Sequence, residues 1–418
     1  MTTQCGSEPQ PTTAPELSRP SSRTSARAES WAPIVALTFG IATLVTSEFL
    51  PAGVLPTMAA DLGVSEGVAG LAVAATALAG AATAPTIAVV LPRVDRRTVL
   101  IALLAFATLS DLMVALAPTF ATLLVARLVL GVAIAGYWSF AFGAGTSARP
   151  GRDHVVSTAL AAGVSVATIL GVPVGSLAGD AWGWRAVFVA AALLSGLSTV
   201  LLRANLPTVP PQPSAGLAML RQAFGNRRLM AGMAGIAMVV LGNFAAYPYI
   251  RVAIDGVAAG SASWLLLAWG IAGLLGNFAA GGQSGRLRLA TGLAPLFLAV
   301  GLGLATGNTR GVLVTGILVW GFAFNALPVL TQLWVTRVAP DHAESALSLQ
   351  VTAFQLAITL GAVVGGSVID AYGVETTLAV GAAFAATSAV VFGLLRVPGP
   401  SARSEDPVLP RTHVEQEE

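Results

Sequence analysis

Residues 33–55 read PIVALTFGIATLVTSEFLPAGVL, an apolar run in which Glu48 is the single ionisable side chain. A helix that crosses a bilayer needs about 20 mostly apolar residues, and this run is long enough. A charge in hydrocarbon costs roughly 3 kcal/mol or more unless it is paired, protonated or hydrated. The run therefore predicts a membrane-spanning helix and marks Glu48 as a candidate functional group.

Similar runs fill the rest of the 418-residue chain, which is 55% hydrophobic and 10% charged, with a mean hydropathy of +0.78. Soluble domains carry about 25% charged residues, so the composition predicts an all-α integral membrane protein. Eleven further spans bring the predicted total to twelve transmembrane helices. They lie at 68–91, 99–117, 119–145, 155–179, 186–202, 230–250, 262–282, 289–307, 311–333, 345–369 and 376–395.

The distribution of positive charge predicts the orientation of these spans. All 22 basic residues are arginines, and 18 of them fall in loops and tails on one side of the predicted topology. Only Arg185, Arg251 and Arg310 fall on the other side. Loops rich in basic residues stay in the cytoplasm, so both termini are predicted to be cytoplasmic. The basic pI of about 9.1 reflects this asymmetry and does not indicate nucleic-acid binding.

Several functional classes lose their chemical basis in this sequence. Without lysine there is no Walker A motif, which argues against ATP-driven transport by this chain. The single cysteine, Cys5, has no disulfide partner. His154, His342 and His413 lie outside the apolar runs, so they cannot form an intramembrane zinc site or a buried Ser-His dyad. We therefore expect no metal, no cofactor and no enzymatic activity.

An internal repeat divides the chain. Gly171-x3-Gly175-x4-Asp180-Ala-Trp-Gly183 returns, 190 residues later, as Gly361-x3-Gly365-x4-Asp370-Ala-Tyr-Gly373. The repeat predicts two parallel six-helix halves, an arrangement found in secondary transporters. It also explains Asp180 and Asp370 as equivalent helix ends, which disfavours an intramembrane aspartyl hydrolase. The predicted units are a disordered cytoplasmic tail (1–31), the halves (32–203 and 230–396), a proline-rich cytoplasmic linker (204–229) and a cytoplasmic tail (397–418).

Three charged residues are predicted at a similar depth in the first half. Glu48 on span 1, Asp111 on span 3 and Arg127 on span 4 each lie about seven residues from the outer end of their span. Arg127 could hold a carboxylate ionised until a proton or a substrate displaces it. The alternative is a structural salt bridge that fixes helix packing. Asn243 occupies roughly the place of Glu48 in the second half, so proton coupling would be asymmetric.

Two further sets of residues are candidates for function. On span 5, Gly171, Pro173 and Gly175 predict a close approach between helices and a proline kink. These features would allow the helix to bend or the halves to slide. Ordinary packing of small residues is the alternative. Polar and aromatic side chains on spans 4, 7, 10 and 11 could stack on a planar ligand and hydrogen-bond its edges, although each singly could serve packing. They are Tyr137, Trp138, Asn243, Tyr247, Tyr249, Asn325, Gln350 and Gln355.

Residues 32–396 resemble the drug:proton antiporter group of the major facilitator superfamily. Leu123-x3-Arg127-x3-Gly131 is similar to its span-4 motif, which relatives associate with proton coupling, and Gly171-x-Pro173-x-Gly175 is an imperfect form of its span-5 antiporter motif. Leu91 to Arg97 is a degraded form of the usual loop between spans 2 and 3, so its gating role does not follow. Asp111 matches no motif of the family.

Other segments resemble bacterial purine ribonucleoside efflux permeases more closely. They are Glu48-Phe-Leu-Pro51, Ser65-Glu-Gly-Val-Ala-Gly70, Asp95-Arg-Arg97, Gly183-Trp-Arg-x-Val-Phe188 and Met230-Ala-Gly-Met233. The resemblance implies a monomeric transporter of the bacterial cytoplasmic (inner) membrane, which exchanges purine ribonucleosides for protons and contacts lipid but no nucleic acid. A multidrug or amphenicol efflux pump of the same fold is the first alternative. A non-transporting receptor or assembly protein is a remote one.

Overall fold

The computed structural model describes residues 31–210, 225–340 and 343–395, and within them it contains helices and no strands. Nearly all of the predicted N-terminal tail, most of the linker and the predicted C-terminal tail lie outside the described residues. Eleven helices in this part of the chain are long and apolar enough to cross a membrane.

Six of these helices precede residue 210, and we call them the first half, by chain order alone. They follow the predicted spans to within a few residues, except that α1 is longer. They are α1 (Ala32–Leu62), α2 (Glu66–Val90), α3 (Arg96–Ala115), α4 (Phe120–Ala148), α5 (Asp153–Trp182) and α6 (Trp184–Asn205). The second half comprises α7 (Arg227–Val257), α8 (Ala262–Gly281), α9 (Leu287–Ala305), α10 (Arg310–Val338) and α11 (Ala343–Leu394).

Helix α1 runs beyond its predicted end at residue 55. It continues through Pro51 and Pro56 to Leu62, where Gly63 adopts a left-handed backbone with φ of 64° and ends it. Prolines are tolerated in membrane helices when neighbouring groups bind the carbonyls that they leave free. The prediction that Glu48 lies about seven residues from the outer end is therefore wrong, because Glu48 lies near the middle of α1.

Helix α5 packs closely against α1 through a face of small residues. A Cβ added at Gly163 would lie 2.6 Å from the Thr38 carbonyl oxygen, and one at Gly175 would lie 2.5 Å from the Leu50 side chain. Residues Ala167–Gly171 of α5 form a π-helical turn just before Pro173. Because Pro173 has no N–H, the regular hydrogen bond to the Ile169 carbonyl cannot form, which explains the local irregularity.

Two repeat-equivalent glycines have nearly the same backbone conformation. Gly183, between α5 and α6, has φ of 84° and ψ of 155°, and Gly373, inside α11, has φ of 81° and ψ of 175°. Both values lie in a region that favours glycine. The predicted spans 345–369 and 376–395 thus fall within one helical run of 52 residues that is interrupted at Gly373.

The two halves are joined at the end of the bundle where α1 ends and α2 begins, here called the closed end. Between described residues, seven hydrogen bonds cross from one half to the other there. Arg251 makes three of them, to the Gly53 carbonyl, the Ser176 hydroxyl and Asp180. The predicted position of Arg251 in a loop is wrong, because α7 continues through a short 3-10 turn to Val257 and buries this arginine.

Candidate functional site

Asp111 lies fully buried among hydroxyl groups. Its carboxylate accepts hydrogen bonds from the Ser47 hydroxyl of α1 and, at 3.2 Å, from the Ser195 hydroxyl of α6. These contacts give a buried carboxylate in α3 polar partners on two neighbouring helices. Asp111 therefore holds α1, α3 and α6 together at mid-bundle.

Arg127 of α4 is also fully buried, and its guanidinium binds backbone rather than carboxylates. It donates to the carbonyls of Ser47 at 2.8 Å, Glu48 at 2.6 Å and Ala72 at 3.2 Å. The Ser47 carbonyl lacks its helical donor because the residue four positions later is Pro51. Arg127 thus satisfies an acceptor that a proline leaves free in α1, and it ties α1 and α2 to α4.

This geometry corrects one expectation from the sequence. A direct ion pair between Arg127 and Glu48 or Asp111 is not among those formed by the described residues. Both carboxylates are still close enough for an electrostatic interaction with the guanidinium. Arg127 therefore supplies positive charge to both acids while its N–H groups are bound to carbonyls.

Glu48 lies on α1 beside the second half. It is 8% exposed, and no hydrogen bond to its carboxylate is formed by the described residues. Its charge interacts with the Tyr247 hydroxyl on α7. The next residue, Phe49, packs on the rings of Phe244 and Tyr247 at centroid distances of 6.2 and 5.6 Å. Glu48 thus borders an aromatic cluster at the contact between the halves.

The cluster extends from α1 through three helices of the second half. Tyr247 lies 5.2 Å from Trp269 of α8, and Trp269 stacks on Phe324 of α10 at 6.4 Å with an angle of 27° between the rings. Phe244 completes it, 5.8 Å from Phe324. We call Phe49, Phe244, Tyr247, Trp269 and Phe324 the aromatic cluster. Flat faces of this kind suit stacking on a planar heterocycle.

Two buried donors near the cluster have no hydrogen-bond partner among the described residues. One is the indole N–H of Trp269, and the other is the amide nitrogen of Asn243, whose oxygen accepts a 2.7 Å bond from Trp320. A buried donor without a partner costs about 1–3 kcal/mol, so such groups call for an explanation. A polar ligand bound beside these groups would satisfy them.

The remaining residues predicted for substrate binding are dispersed. Tyr137 is fully buried inside the first half and donates to the Leu37 carbonyl at 3.0 Å, so it is not available to a ligand in this structure. Trp138, its neighbour, is exposed and makes no ring contact among the described residues. Asn325 follows Phe324, donates to the Gly321 carbonyl at 3.0 Å and packs on Gly273.

The two glutamines on α11 have different surroundings. The Gln350 amide donates to Thr331 at 2.8 Å within the second half, and its oxygen has no partner among the described residues. Gln355 faces Gly80 of α2, across the contact between the halves. Tyr249 donates to the Gly67 carbonyl at 3.4 Å and belongs to the closed end. The structure thus places Tyr247 in the aromatic cluster and leaves Asn243 and Asn325 next to its members Phe244 and Phe324 along the chain, with the other candidates farther away.

The span-5 motif residues Gly171, Pro173 and Gly175 lie in α5, where this helix packs against α1. Gly171 faces Thr46 of α1, two residues before Glu48, and Gly53 of α1 faces the Val172 carbonyl. On the other side of α5, Gly270 of α8 packs on the Ile169 backbone, where an added Cβ would lie 2.8 Å from its Cα. The part of α5 that contains this motif therefore contacts α1 on one side, and on the other side it lies close to α8 of the second half.

Sequence reasoning missed Trp269 and Phe324 and did not assign a role to Phe49 or Phe244. The usable signal was one aromatic residue at a similar depth on each of spans 1, 7, 8 and 10, flanking the amides Asn243 and Asn325. Ser47 and Ser195 gave no signal in the sequence, because a serine hydroxyl in a helix can equally bond a carbonyl of its own helix.

Comparisons with known proteins agree on the family. The profile of the Major Facilitator Superfamily matches residues 37–255. Proteins named "Purine ribonucleoside efflux pump NepI" from Salmonella typhimurium strain LT2 and Salmonella typhi are 35% identical over 376 residues, which cover 88% of this chain and 95% of each relative.

Two solved structures share the fold. The nucleoside transporter NupG (D323A mutant) superimposes with a TM-score of 0.72 and 15% identity, covering 86% of this chain and 98% of that one. The human organic anion transporter MFSD10 (TETRAN) gives a TM-score of 0.63 at 19% identity, covering 90% of this chain and all of that one.

Proposed function

The chain belongs to the major facilitator superfamily, and from this premise we propose that it exports purine ribonucleosides across a membrane in exchange for protons. The substrate assignment rests on the 35% identity, over 88% of the chain, to efflux pumps named for purine ribonucleosides. The aromatic cluster and its unpaired donors support the same substrate on physical grounds. The protein is a transporter and not an enzyme.

A twelve-crossing topology in two parallel six-helix repeats accounts for the helices. At about 1.5 Å per residue, the 52 residues of α11 would span roughly 78 Å, far more than the hydrocarbon core of about 30 Å. A reversal at Gly373, matching the break at Gly183, makes two crossings of this run. With the arginine asymmetry, both termini then lie in the cytoplasm of a bacterial cell, and the closed end faces outward.

A purine base fits the chemistry of the cluster. Its flat ring system can stack between aromatic faces such as those of Phe244 and Trp269, and its ring nitrogens and carbonyl oxygen accept hydrogen bonds. The indole N–H of Trp269 and the amide of Asn243 are the donors that await such acceptors. Asn325 would form a hydrogen bond with a further edge of the purine. An amphenicol or another lipophilic drug would use the rings but would match the donors less fully.

Proton coupling is assigned to Glu48, with Arg127 and Asp111 as its electrostatic surroundings. A proton that enters from the outside neutralises Glu48, and the favourable interaction between Glu48 and Arg127 is lost. Because Arg127 holds the α1 backbone at Ser47 and Glu48, the change in charge acts on α1 directly. Glu48 also borders the aromatic cluster, so the proton and the nucleoside compete for the same region.

The test is proton-gradient-driven uptake of radiolabelled inosine into inverted membrane vesicles that contain the wild type, Glu48→Gln or the matched control Glu375→Gln. Glu375 is an exposed carboxylate on α11 beyond Gly373. We expect gradient-dependent uptake in the wild type and the control, and its loss in Glu48→Gln at equal protein levels.

Full gradient-driven uptake by Glu48→Gln would refute the coupling role and leave the substrate assignment intact. Absence of inosine uptake in the wild type, together with gradient-driven accumulation of a drug such as chloramphenicol, would refute the nucleoside assignment and favour multidrug or amphenicol efflux. Absence of any transport would favour the receptor alternative.

A further inference from the structure

A groove of about 870 Å³ lies on the second half, at the end of the bundle opposite the closed end. It is formed where α9 begins and where α10 and α11 end. Three arginines line it, Arg286, Arg288 and Arg337, and the described part of the chain places no acidic side chain in its lining. Neither the proposed transport cycle nor any motif of the sequence uses this groove.

The arginines form the polar rim of the groove. Arg286 and Arg288 are exposed, and neither has a carboxylate within ion-pair distance among the described residues. Positive side chains that converge without acidic partners create a local field that attracts a multivalent anion. Arginine in particular matches the geometry of a phosphate group, because its guanidinium can donate two parallel hydrogen bonds.

The floor of the groove is apolar and continues away from the arginines. Leu289, Leu293 and Leu296 follow one face of α9 and are exposed. On the facing helix, Ala386, Ala389 and Gly393 of α11 also line the groove, which keeps the space between the helices free of large side chains. At Gly292 an added Cβ would come no closer than 3.9 Å to Gly393.

We propose that this groove is a binding site for one anionic phospholipid, with its phosphate on Arg286 and Arg288 and an acyl chain along the floor between α9 and α11. The combination of a basic rim and an apolar floor at the end of membrane helices is the chemistry that recognises such headgroups. A free phosphate would use only the rim. The C-terminal tail, which carries Glu415, Glu417 and Glu418, would supply carboxylates but little apolar surface for the floor.

The proposal is tested by native mass spectrometry of the purified full chain in detergent, with dioleoyl-phosphatidylglycerol or dioleoyl-phosphatidylcholine added at equal concentration. We expect the wild type to retain phosphatidylglycerol preferentially. The double variant Arg286→Gln/Arg288→Gln should bind it at least about fivefold more weakly, since one arginine near anionic lipid is worth about 1 kcal/mol. The matched control is Arg227→Gln/Arg228→Gln, which removes two exposed arginines at the start of α7, outside the groove.

A second variant probes the floor without a change of charge. Gly292 lines the groove, and a Cβ there would come no closer than 3.9 Å to another residue, so Gly292→Leu adds bulk to the floor. We expect it to lower phosphatidylglycerol binding, with thermal unfolding measured beside it to confirm that the protein is folded. Equal phosphatidylglycerol binding by the wild type and the double arginine variant would overturn the proposal. So would displacement of the lipid by millimolar inorganic phosphate, which indicates an anion site only. Lipid binding that arises only in Glu415→Gln/Glu417→Gln/Glu418→Gln would assign the groove to the tail.

Discussion

Pro51 determines what Arg127 does. A proline has no N–H and leaves the carbonyl four residues earlier without a helical donor, and here that carbonyl belongs to Ser47. A carbonyl unsatisfied in the middle of a membrane protein costs several kcal/mol. The Arg127 guanidinium donates to it at 2.8 Å and also to the Glu48 carbonyl. The arginine is thus a structural clamp on α1 as well as a charge beside two acids.

This dual role predicts a rescue. Arg127→Gln should lower the free energy of unfolding by about 2 kcal/mol or more, because it leaves buried carbonyls without donors. Pro51→Ala returns a helical N–H to the Ser47 carbonyl, so the double variant should lose less stability than the two single changes added together. Thermal unfolding of the four proteins in one detergent measures this coupling. Additive losses would contradict the clamp.

Trp269 offers a way to separate ligand binding from packing. If its free indole N–H donates to the nucleoside, Trp269→Phe keeps a ring in the aromatic cluster but removes the donor, together with the volume of one fused ring. We expect the KM for inosine export to rise about fivefold to tenfold, the value of one hydrogen bond, while the melting temperature falls no more than in the control variant, which loses the same volume.

Trp334→Phe is the matched control for that change. Trp334 also has a buried indole N–H without a partner among the described residues, but its ring packs on Phe392, away from the aromatic cluster. Its substitution should leave the KM unaltered. Equal effects of the two substitutions, or no effect of either, would remove Trp269 from the binding site.

At the scale of elements, α5 and α1 approach each other closely because glycines on α5 face α1. Gly163→Ala places a Cβ 2.6 Å from the Thr38 carbonyl oxygen, so α1 and α5 must separate. We expect a loss of about 1–3 kcal/mol in stability, the usual cost of overpacking. The control is Gly196→Ala on α6, where the nearest atom would be 3.8 Å away. Urea or thermal unfolding in detergent that gives equal stabilities for the two variants would argue against close packing of α5.

The positions of the helices are predictable from the sequence, since a membrane span is recognised by its length and its apolar composition. The residues at which the helices begin and end are harder to predict. Span 1 was predicted to end at residue 55, whereas α1 continues to Leu62, and a 3-10 turn at Tyr247–Tyr249 carries α7 past its predicted end. That extension changes Arg251 from a loop residue into a buried contact. Prolines and irregular turns continue a membrane helix only when tertiary partners satisfy the backbone, and the sequence of one helix does not contain those partners.

The candidate site was predictable in part for a related reason. A lone carboxylate in an apolar run is conspicuous, so the sequence alone marks Glu48 as a candidate. Whether Tyr137 points to a cavity or to the core of its own half depends on the rotation of α4, which a nearly uniform apolar helix does not reveal. The aromatic cluster depends on contacts between four helices, and single-span patterns did not register Trp269 or Phe324.

At the scale of the whole molecule, the closed end is held by a reciprocal pair of contacts. Asp180 of the first half accepts a hydrogen bond from Arg251 of the second at 2.5 Å, and its repeat equivalent Asp370 accepts from Ser65 and Gly67 of the first half. Asp180 is about half exposed, so solvent partly screens its ion pair with the buried Arg251. Contacts that water reaches on one side can hold the halves together and still separate during transport.

Weakening these contacts should therefore increase the population in which the halves are separated at the closed end, without unfolding the protein. In a Cys5→Ser background, spin labels at Leu116→Cys and Trp264→Cys would report the separation of the halves at the closed end, since both positions are exposed and lie in different halves. We expect Arg251→Gln to add a population at longer distance in electron–electron double resonance. Arg251 supplies three of the seven hydrogen bonds that cross between the halves, so its loss removes a large share of the polar contact there.

The matched control for that experiment is Arg310→Gln. Arg310 lies at the same end of the bundle, but its guanidinium donates to Ser261 of its own half, at 3.3 Å. Its removal changes the charge at the closed end as much as Arg251→Gln does, and it leaves the contacts between the halves in place. If both variants lengthened the distance equally, the separation would reflect net charge. If only Arg251→Gln does so, the directed hydrogen bonds to Gly53, Ser176 and Asp180 are what keep the two halves together on that side.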